Sequence, residues 1–96
     1  MRLRYTTQAH DQIAAIYSFI GDRSPEAARE VVARIRSAAE RLVEFPRIGR
    51  AGRIAGTLEW VVRGLPYVIV YEPGSGDADE IPILGVFHGA QNRKPE

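Results

Sequence analysis

The residues of this chain with the clearest chemical potential are arginines and one histidine in its second half. The segment Arg47–Tyr71 carries four arginines against a single acid, Glu59, which gives residues 47–63 a local charge of +3. The net charge of the whole chain is only +1. Guanidinium groups bind carboxylates and phosphates, so this segment suits an anionic partner. A charge of +3 is too small to bind nucleic acid tightly by charge alone.

Metal-independent RNA cleavage is the one reaction that this set of residues supports. In that reaction a 2′-hydroxyl attacks its neighbouring phosphate, which requires a base, an acid and cations over the developing charge. Four side chains can in principle converge at one end of a sheet for this purpose: Arg53, Arg63, His88 and Arg93. A histidine that closes a strand is more often structural than catalytic, and the apolar strand Tyr67–Tyr71 has no cation at its centre.

Other kinds of active site lack their residues. The chain has no cysteine, which excludes disulfides, thiolate zinc sites and a cysteine nucleophile. His10 and His88 stand in different elements, and neither a glycine-rich phosphate loop nor a paired-histidine metal motif is present. We therefore predict no metal and no cofactor. Every serine has a simpler role in a helix, a cap or a turn: Ser18, Ser24, Ser37 and Ser75.

Composition is typical of a small globular protein. The 96 residues are 45% hydrophobic and 26% charged, without repeats or a linker, which predicts one domain over residues 1–96. No apolar run approaches the roughly 20 residues needed to span a bilayer, and the first residues lack a signal-peptide core. We expect a cytoplasmic protein with no membrane partner.

The first half of the chain predicts a short strand followed by two helices. Arg2–Tyr5 alternates polar and apolar residues, as a half-buried strand does. Gln8–Ile20 and Pro25–Glu44 carry apolar stripes at helical spacing. Ser24 before Pro25 is a helix-start signal, and Phe45-Pro46 ends the second helix. The short connection predicts an antiparallel helical hairpin.

The second helix also carries many charges at three- and four-residue spacings. We interpret them as a solvated face with surface pairs worth a few tenths of a kcal/mol each. The residues are Arg29, Arg34, Arg36, Arg41, Glu26, Glu30, Glu40 and Glu44.

The second half predicts three strands after the basic loop. They are Thr57–Val62, Tyr67–Tyr71 and Glu80–His88, joined by short turns and rich in β-branched and aromatic residues. Pro82 indicates that the last strand lies at a sheet edge or begins with a bulge. The fold class is therefore α+β, in the order β-α-α-β-β-β, with the helical hairpin packed on a small, mainly antiparallel sheet.

Three stretches together resemble the ParE branch of the ParE/RelE toxin superfamily of bacterial toxin–antitoxin modules. They are FPRIGR after the long helix, GTLEWVVRGLPYVIVYE, and ILGVFHGAQNRKP. The resemblance covers nearly the whole chain and implies the RelE/ParE-like fold and a ParD-like antitoxin partner, held in a hetero-oligomer. ParE-type toxins inhibit DNA gyrase, trapping it on DNA and blocking replication, whereas RelE-type relatives are ribosome-dependent mRNA endonucleases.

One departure from the nucleolytic relatives favours the ParE branch. Those relatives carry an arginine on the strand that matches Tyr67–Tyr71, and here that position holds Val68. His88 does resemble a histidine that some nucleases use near the last strand. Ribosome-dependent cleavage by Arg63, His88 and Arg93 therefore stays the alternative, and an inactive relative that only binds its antitoxin is a second one.

The resemblance also implies two binding surfaces. For the target we propose the basic residues Arg50, Arg53, Arg63, His88 and Arg93. For the antitoxin we predict a helix laid in a groove, with strand addition at a sheet edge as a further option. Its candidates are Tyr17, Val31, Ile35, Leu42 and Arg47, each of which has core packing or solvation as its simpler explanation. An acidic antitoxin segment would complement the arginines of the loop.

Overall fold

A computed structural model describes residues 1–74 and 79–89 of the chain. The two helices are α1 (Thr7–Gly21) and α2 (Pro25–Glu44). The strands are β1 (Arg2–Tyr5), β2 (Arg50–Ala51), β3 (Leu58–Val61), β4 (Tyr67–Tyr71) and β5 (Glu80–His88). The predicted α+β fold is confirmed, with one additional short strand, β2.

Side-chain caps start both helices. Thr6 Oγ1 accepts a hydrogen bond from the Ala9 N–H at 3.1 Å, and Ser24 Oγ accepts one from the Ala27 N–H at 3.1 Å. Each cap satisfies an amide that the first turn of a helix leaves without an intrahelical partner. The helices pack against each other along their length, which confirms the predicted helical hairpin.

The five strands form one sheet in the order β1-β5-β4-β3-β2. β1 runs parallel to β5, and all other neighbours are antiparallel. β5 is therefore an interior strand, which corrects the predicted edge position of Pro82. The carbonyl of Pro82 accepts from the N–H of Glu72, the residue just past the end of β4. Proline has no N–H to donate. Pro82 lies where the hydrogen bonds between β4 and β5 end, so the sheet tolerates the missing donor there.

A bulge does interrupt β5, but two residues after the proline. Tyr71 pairs with Ile83 and Val70 pairs with Gly85, so Leu84 is the extra residue. A bulge re-aims the residues that follow it, and here it returns Val86 to the buried face of the sheet.

The strand β2 lies in a segment for which the sequence predicts a loop, and this is the main difference between the predicted and the observed fold. Arg50 pairs with Glu59 and Ala51 with Leu58, and the Gly52 N–H donates to the Thr57 carbonyl at 2.9 Å. Two residues are too few to show a strand period, so sequence gave no signal for them.

The core lies between the helical hairpin and one face of the sheet. Side chains from both helices, from β4 and β5, and from Val62 just after β3 are buried there: Ala9, Ile13, Ile35, Ala39, Leu42, Val62, Ile69, Tyr71, Ile81, Ile83 and Val86. Alternate residues of each strand point to the opposite face, which the helices leave uncovered.

The Tyr71 hydroxyl joins the sheet to the segment that follows α2. Its ring is fully buried, its O–H donates to the Pro46 carbonyl at 2.8 Å, and it accepts from the Gly49 N–H at 3.0 Å. A Cβ at position 49 would lie 2.7 Å from the Glu59 carbonyl oxygen and 2.8 Å from the Tyr71 hydroxyl, so only glycine fits. Tyr71 therefore fixes the path of residues 46–49 across the edge of the sheet.

We expect Tyr71→Phe to lower the free energy of unfolding by about 1–3 kcal/mol, because the phenylalanine ring still fills the core while both hydrogen bonds are lost. Urea unfolding measures the loss. Tyr17→Phe, at a position 41% exposed, is the matched control and should change stability by less than about 0.5 kcal/mol. Equal effects of the two variants would contradict the structural role given to the Tyr71 hydroxyl.

Stability should also fall in alkaline solution. Burial raises the pKa of Tyr71 above 10.0, although the Gly49 hydrogen bond and the nearby Arg47 charge oppose that rise. A raised folded-state pKa means that the stabilising contribution is complete below pH 10 and is lost as the pH rises through the folded-state value. Urea unfolding from pH 8 to pH 11 should show this fall for the native chain and a shallower one for Tyr71→Phe. A steeper fall in the variant would contradict the assignment.

Candidate functional site

The structure brings Arg63 and His88 to the same end of the sheet. Arg63 lies in the turn after β3, and His88 is the last residue of β5. His88 pairs across the strands with Tyr67, and their rings meet edge-on at 5.8 Å with an interplanar angle of 86°. The Gly89 N–H donates to the Pro66 carbonyl at 2.7 Å, which ties the end of β5 to that turn. Arg93, the third residue predicted for RNA cleavage, lies outside the described residues.

Val68 is the second residue of β4 and lies on the face opposite the helices. Its side chain is 4% exposed and faces its cross-strand partners, Val61 of β3 and Phe87 of β5. This position is apolar on both sides, so this part of β4 offers no cation to a phosphate.

The arginines of the basic segment do not form one cluster. Arg50 lies beside Glu59, with Arg50 Nε 4.0 Å from Glu59 Oε1, and Glu59 is only 7% exposed. Arg53 lies in the loop between β2 and β3. Arg63 lies four residues beyond Glu59, in the turn after β3. The predicted target surface therefore extends along the β2–β3 edge of the molecule.

The predicted antitoxin contacts divide into accessible and inaccessible residues. Tyr17 is exposed and lines a groove between the helices together with His10, Ala14, Val32 and Arg36. Val31 is half-buried, and Arg47 lies beside Phe45 and Pro73 in a separate depression. Ile35 and Leu42, however, are 0% exposed. Their inclusion was wrong, because they lie on the α2 stripe that packs into the core, where a partner cannot reach them.

A cleft between α2 and β3 was not predicted. It has a volume of about 690 Å³ and is lined by Arg34, Ser37, Ala38, Arg41, Trp60, Val61, Val62 and Arg63. The guanidinium of Arg34 donates to the Arg63 carbonyl, which connects α2 to the turn after β3. Arg34 and Arg41 stand seven residues apart, so they lie on the same side of α2.

The charges of α2 are thus more than a solvated face. The Arg36 guanidinium lies 5.3 Å from the centre of the Tyr5 ring, and that of Arg41 lies 5.5 Å from the centre of the Phe45 ring. Among the ion pairs of residues 1–74 and 79–89, none joins two residues of α2. Spacing alone could not reveal this, because it does not say which element lies beside each arginine.

Residues 1–74 and 79–89 contain no group of three or more histidine, cysteine, aspartate or glutamate side chains placed to hold a metal ion. In the same ranges, neither helix has the length and apolar character required to traverse a bilayer.

Comparison with known proteins decides the family. The family model described as the ParE toxin of the type II toxin–antitoxin system parDE matches residues 3–93. The chain belongs to the ParE toxin family. It is 39% identical over 90 residues to the protein named "Putative toxin Y4kP" of Sinorhizobium fredii, covering 94% of this chain and 90% of that relative.

Two further proteins resemble this ParE-family chain. "Toxin RelE2" of Caulobacter vibrioides is 38% identical over 87 residues, covering 91% of this chain and 93% of the relative. A solved structure titled "Chromosomal ParDE TA system from P. aeruginosa" matches with a TM-score of 0.78 at 24% identity, over 92% of this chain and 95% of the other. At that identity the structural likeness supports the shared fold.

The contact between Arg34 and the turn after β3 can be tested at Gly64. Gly64 has a φ of +78°, and a Cβ there would lie 2.8 Å from the Arg34 guanidinium. Gly56 has a similar φ of +87° with nothing within 4 Å of the added Cβ. Alanine at either position should cost about 1–2 kcal/mol of backbone strain. Gly64→Ala should cost about 1 kcal/mol more in urea unfolding, because it also displaces Arg34 from the Arg63 carbonyl. Equal losses would show that this contact contributes no stability.

Proposed function

We propose that this ParE-family protein is a toxin that binds DNA gyrase and blocks replication, and that a ParD-like antitoxin neutralises it by direct binding. The buried Val68 of β4 is the observation that favours binding over RNA cleavage. Cleavage of a phosphodiester requires fixed cations over the developing negative charge, and a valine between Val61 and Phe87 supplies none. We place this activity in the cytoplasm.

The exposed basic residues supply the surface proposed for the target. Arg50, Arg53 and Arg63 follow the β2–β3 edge, and His88 closes the neighbouring end of the sheet. An extended basic edge suits a large protein–DNA assembly better than a small substrate, since charge spread over a surface steers association and fixes orientation. We include Arg93 in this surface on sequence grounds alone.

Exposed apolar side chains support a protein partner. Phe19 is 73% exposed, Phe45 is 49% exposed, and Tyr17 borders the groove between the two helices. Exposed aromatic residues beside a groove are typical of helix-in-groove recognition. We propose this groove, with Tyr17 and Val32 in its lining, as a contact for a helix of the antitoxin. Val31 is half-buried against the core and lies outside that lining, so it stays a separate candidate.

Gyrase and translation assays run side by side test the target. Purified toxin at micromolar concentration should inhibit supercoiling by gyrase and accumulate cleaved DNA, while primer extension in a translation extract should show no new mRNA ends. Arg63→Glu should weaken the inhibition of gyrase by about tenfold, because it reverses a charge on the proposed surface. Arg29→Glu, an exposed change on α2, is the matched control and should leave inhibition within about twofold.

The opposite pattern would contradict the proposal. New mRNA ends that disappear in His88→Ala and Arg63→Ala, with supercoiling unaffected, would establish the ribosome-dependent alternative. The absence of both effects, together with normal growth on overexpression, would indicate an inactive relative that only binds its antitoxin.

A further inference from the structure

The α2–β3 cleft has the dimensions of a small-molecule site. Its volume of about 690 Å³ falls within the range of roughly 300–1,000 Å³ that is typical of ligand pockets. Such pockets combine an apolar wall with a few polar groups that orient the ligand. Half of the lining residues here are apolar, and the other half carry hydrogen-bond donors. The apolar residues are Ala38, Trp60, Val61 and Val62, and the polar ones are Arg34, Ser37, Arg41 and Arg63.

The polar groups of the cleft favour an anionic ligand. Three of them are guanidinium groups, on the exposed residues Arg34, Arg41 and Arg63. The lining contains no carboxylate, and none of the ion pairs within residues 1–74 and 79–89 involves these arginines. A concave site that is lined by charges of one sign attracts ligands of the opposite sign.

The three arginines divide the cleft into two ends. Arg34 donates a hydrogen bond to the Arg63 carbonyl, so both residues belong to the end beside the turn after β3. Arg41 follows Arg34 by seven residues, which places its Cα about 10 Å further along α2. The Arg41 guanidinium lies 5.5 Å from the centre of the Phe45 ring. One end of the cleft therefore offers two cations, and the other end offers one.

The Arg34 side chain is held in place within the chain itself. Gly64 leaves room for its approach to the turn, since a Cβ there would lie 2.8 Å from the guanidinium. A guanidinium carries five N–H donors, and the hydrogen bond to the Arg63 carbonyl engages one of them, which leaves donors for a ligand. A side chain that is already ordered loses less conformational freedom on binding.

The end with two cations fits a phosphate group better than a carboxylate. A single guanidinium already satisfies both oxygens of a carboxylate by bidentate bonds. A phosphate ester offers more oxygens and more negative charge, so it can engage Arg34 and Arg63 together. Beyond that end, the wall formed by Ala38, Trp60 and Val61 suits a flat apolar group. The edges of nucleic-acid bases carry acceptor atoms, which suit the single cation at the far end.

We propose that the α2–β3 cleft binds a nucleoside diphosphate or triphosphate. The phosphates lie against Arg34 and Arg63, the nucleoside packs against Trp60 and Val61, and an acceptor atom of the base meets Arg41. The site is separate from the groove between the helices that Tyr17 lines. It does not depend on the identity of the target or of the antitoxin.

An NMR titration of the intact, isotope-labelled chain tests this site. The probe is ADP, and the controls are adenosine, which lacks the phosphates, and inorganic pyrophosphate, which lacks the nucleoside. Trp60 is the only tryptophan of the chain, so a single indole N–H signal reports on the cleft. ADP should shift this signal in a saturable manner. It should bind at least about tenfold more tightly than either control, because each control leaves one part of the site empty.

Matched variants identify the cations that hold the ligand. Arg63→Gln and Arg41→Gln should each weaken the binding of ADP by about tenfold, because each removes a charge-assisted hydrogen bond. Arg29→Gln is the matched control, since Arg29 is exposed on α2 outside the cleft, and binding should stay within about twofold. Circular dichroism confirms that each variant folds.

Several results would overturn the proposal. ADP that binds no more tightly than adenosine would show that the arginines do not hold the phosphates, and ADP that binds no more tightly than pyrophosphate would reduce the site to a patch of charge. An unchanged Trp60 signal, or an equal loss of affinity in Arg29→Gln, would place any binding elsewhere. Preferential binding of a short single-stranded oligonucleotide would indicate a nucleic-acid surface instead.

The titration uses the toxin alone, so its outcome is distinguishable from a failure of the proposed function. If ADP binds as described but the toxin does not inhibit gyrase, the site stands and the proposed target is wrong. If the toxin inhibits gyrase but ADP does not bind, only the assignment of the cleft is wrong.

Discussion

The hydroxyl group of Tyr71 connects two parts of the molecule, the end of β4 and the segment that follows α2. It is carried by the end of β4, and it bonds to Pro46 and Gly49 in the segment that follows α2. That segment is drawn onto the helix side of the sheet, so β2 can pair with only the first two residues of β3. Among the strands that the structure describes, none pairs with Trp60 or Val61 on the β2 side of β3.

The placement of both helices on one face of the sheet explains how the remaining surface is divided. The buried face forms the core, and the opposite face presents Val61, Val68 and Phe87 near the middle of the sheet. At one margin, Arg4 Nε lies 3.0 Å from Glu80 Oε1, an exposed pair that contributes little to stability. The arrangement leaves charged side chains at the margin of the sheet and these apolar side chains near its middle.

The sequence predicts correctly those helices and strands that are long enough to show a regular spacing of apolar residues. β1, α2, β4 and β5 have the predicted bounds, because apolar spacing, caps and proline stops act locally. The two-residue β2 carries no period, and the contacts beside it, between Gly49 and Tyr71, are tertiary ones that a local pattern does not show. The edge position predicted from Pro82 was wrong because a sheet tolerates a proline wherever the neighbouring strand ends. Where β4 ends relative to Pro82 depends on the tertiary structure.

The candidate site was predicted less completely than the fold. The sequence itself shows that position 68 is a valine and not a cation. The order of the strands, which the sequence also predicts, places Arg63 and His88 at the same end of the sheet. The burial of Ile35 and Leu42 was not resolved, since an amphipathic stripe does not reveal which of its residues remain at the surface. The arginine-lined cleft required knowledge that α2 lies beside β3.

We propose that this ParE-family toxin acts by binding its target and not by cutting RNA. Pulse labelling in growing cells tests it most directly, with labelled thymidine, uridine and leucine supplied within minutes of inducing the toxin. After induction of the toxin, thymidine incorporation should fall first, while leucine incorporation continues. An immediate fall in leucine incorporation that precedes any change in DNA synthesis would contradict it.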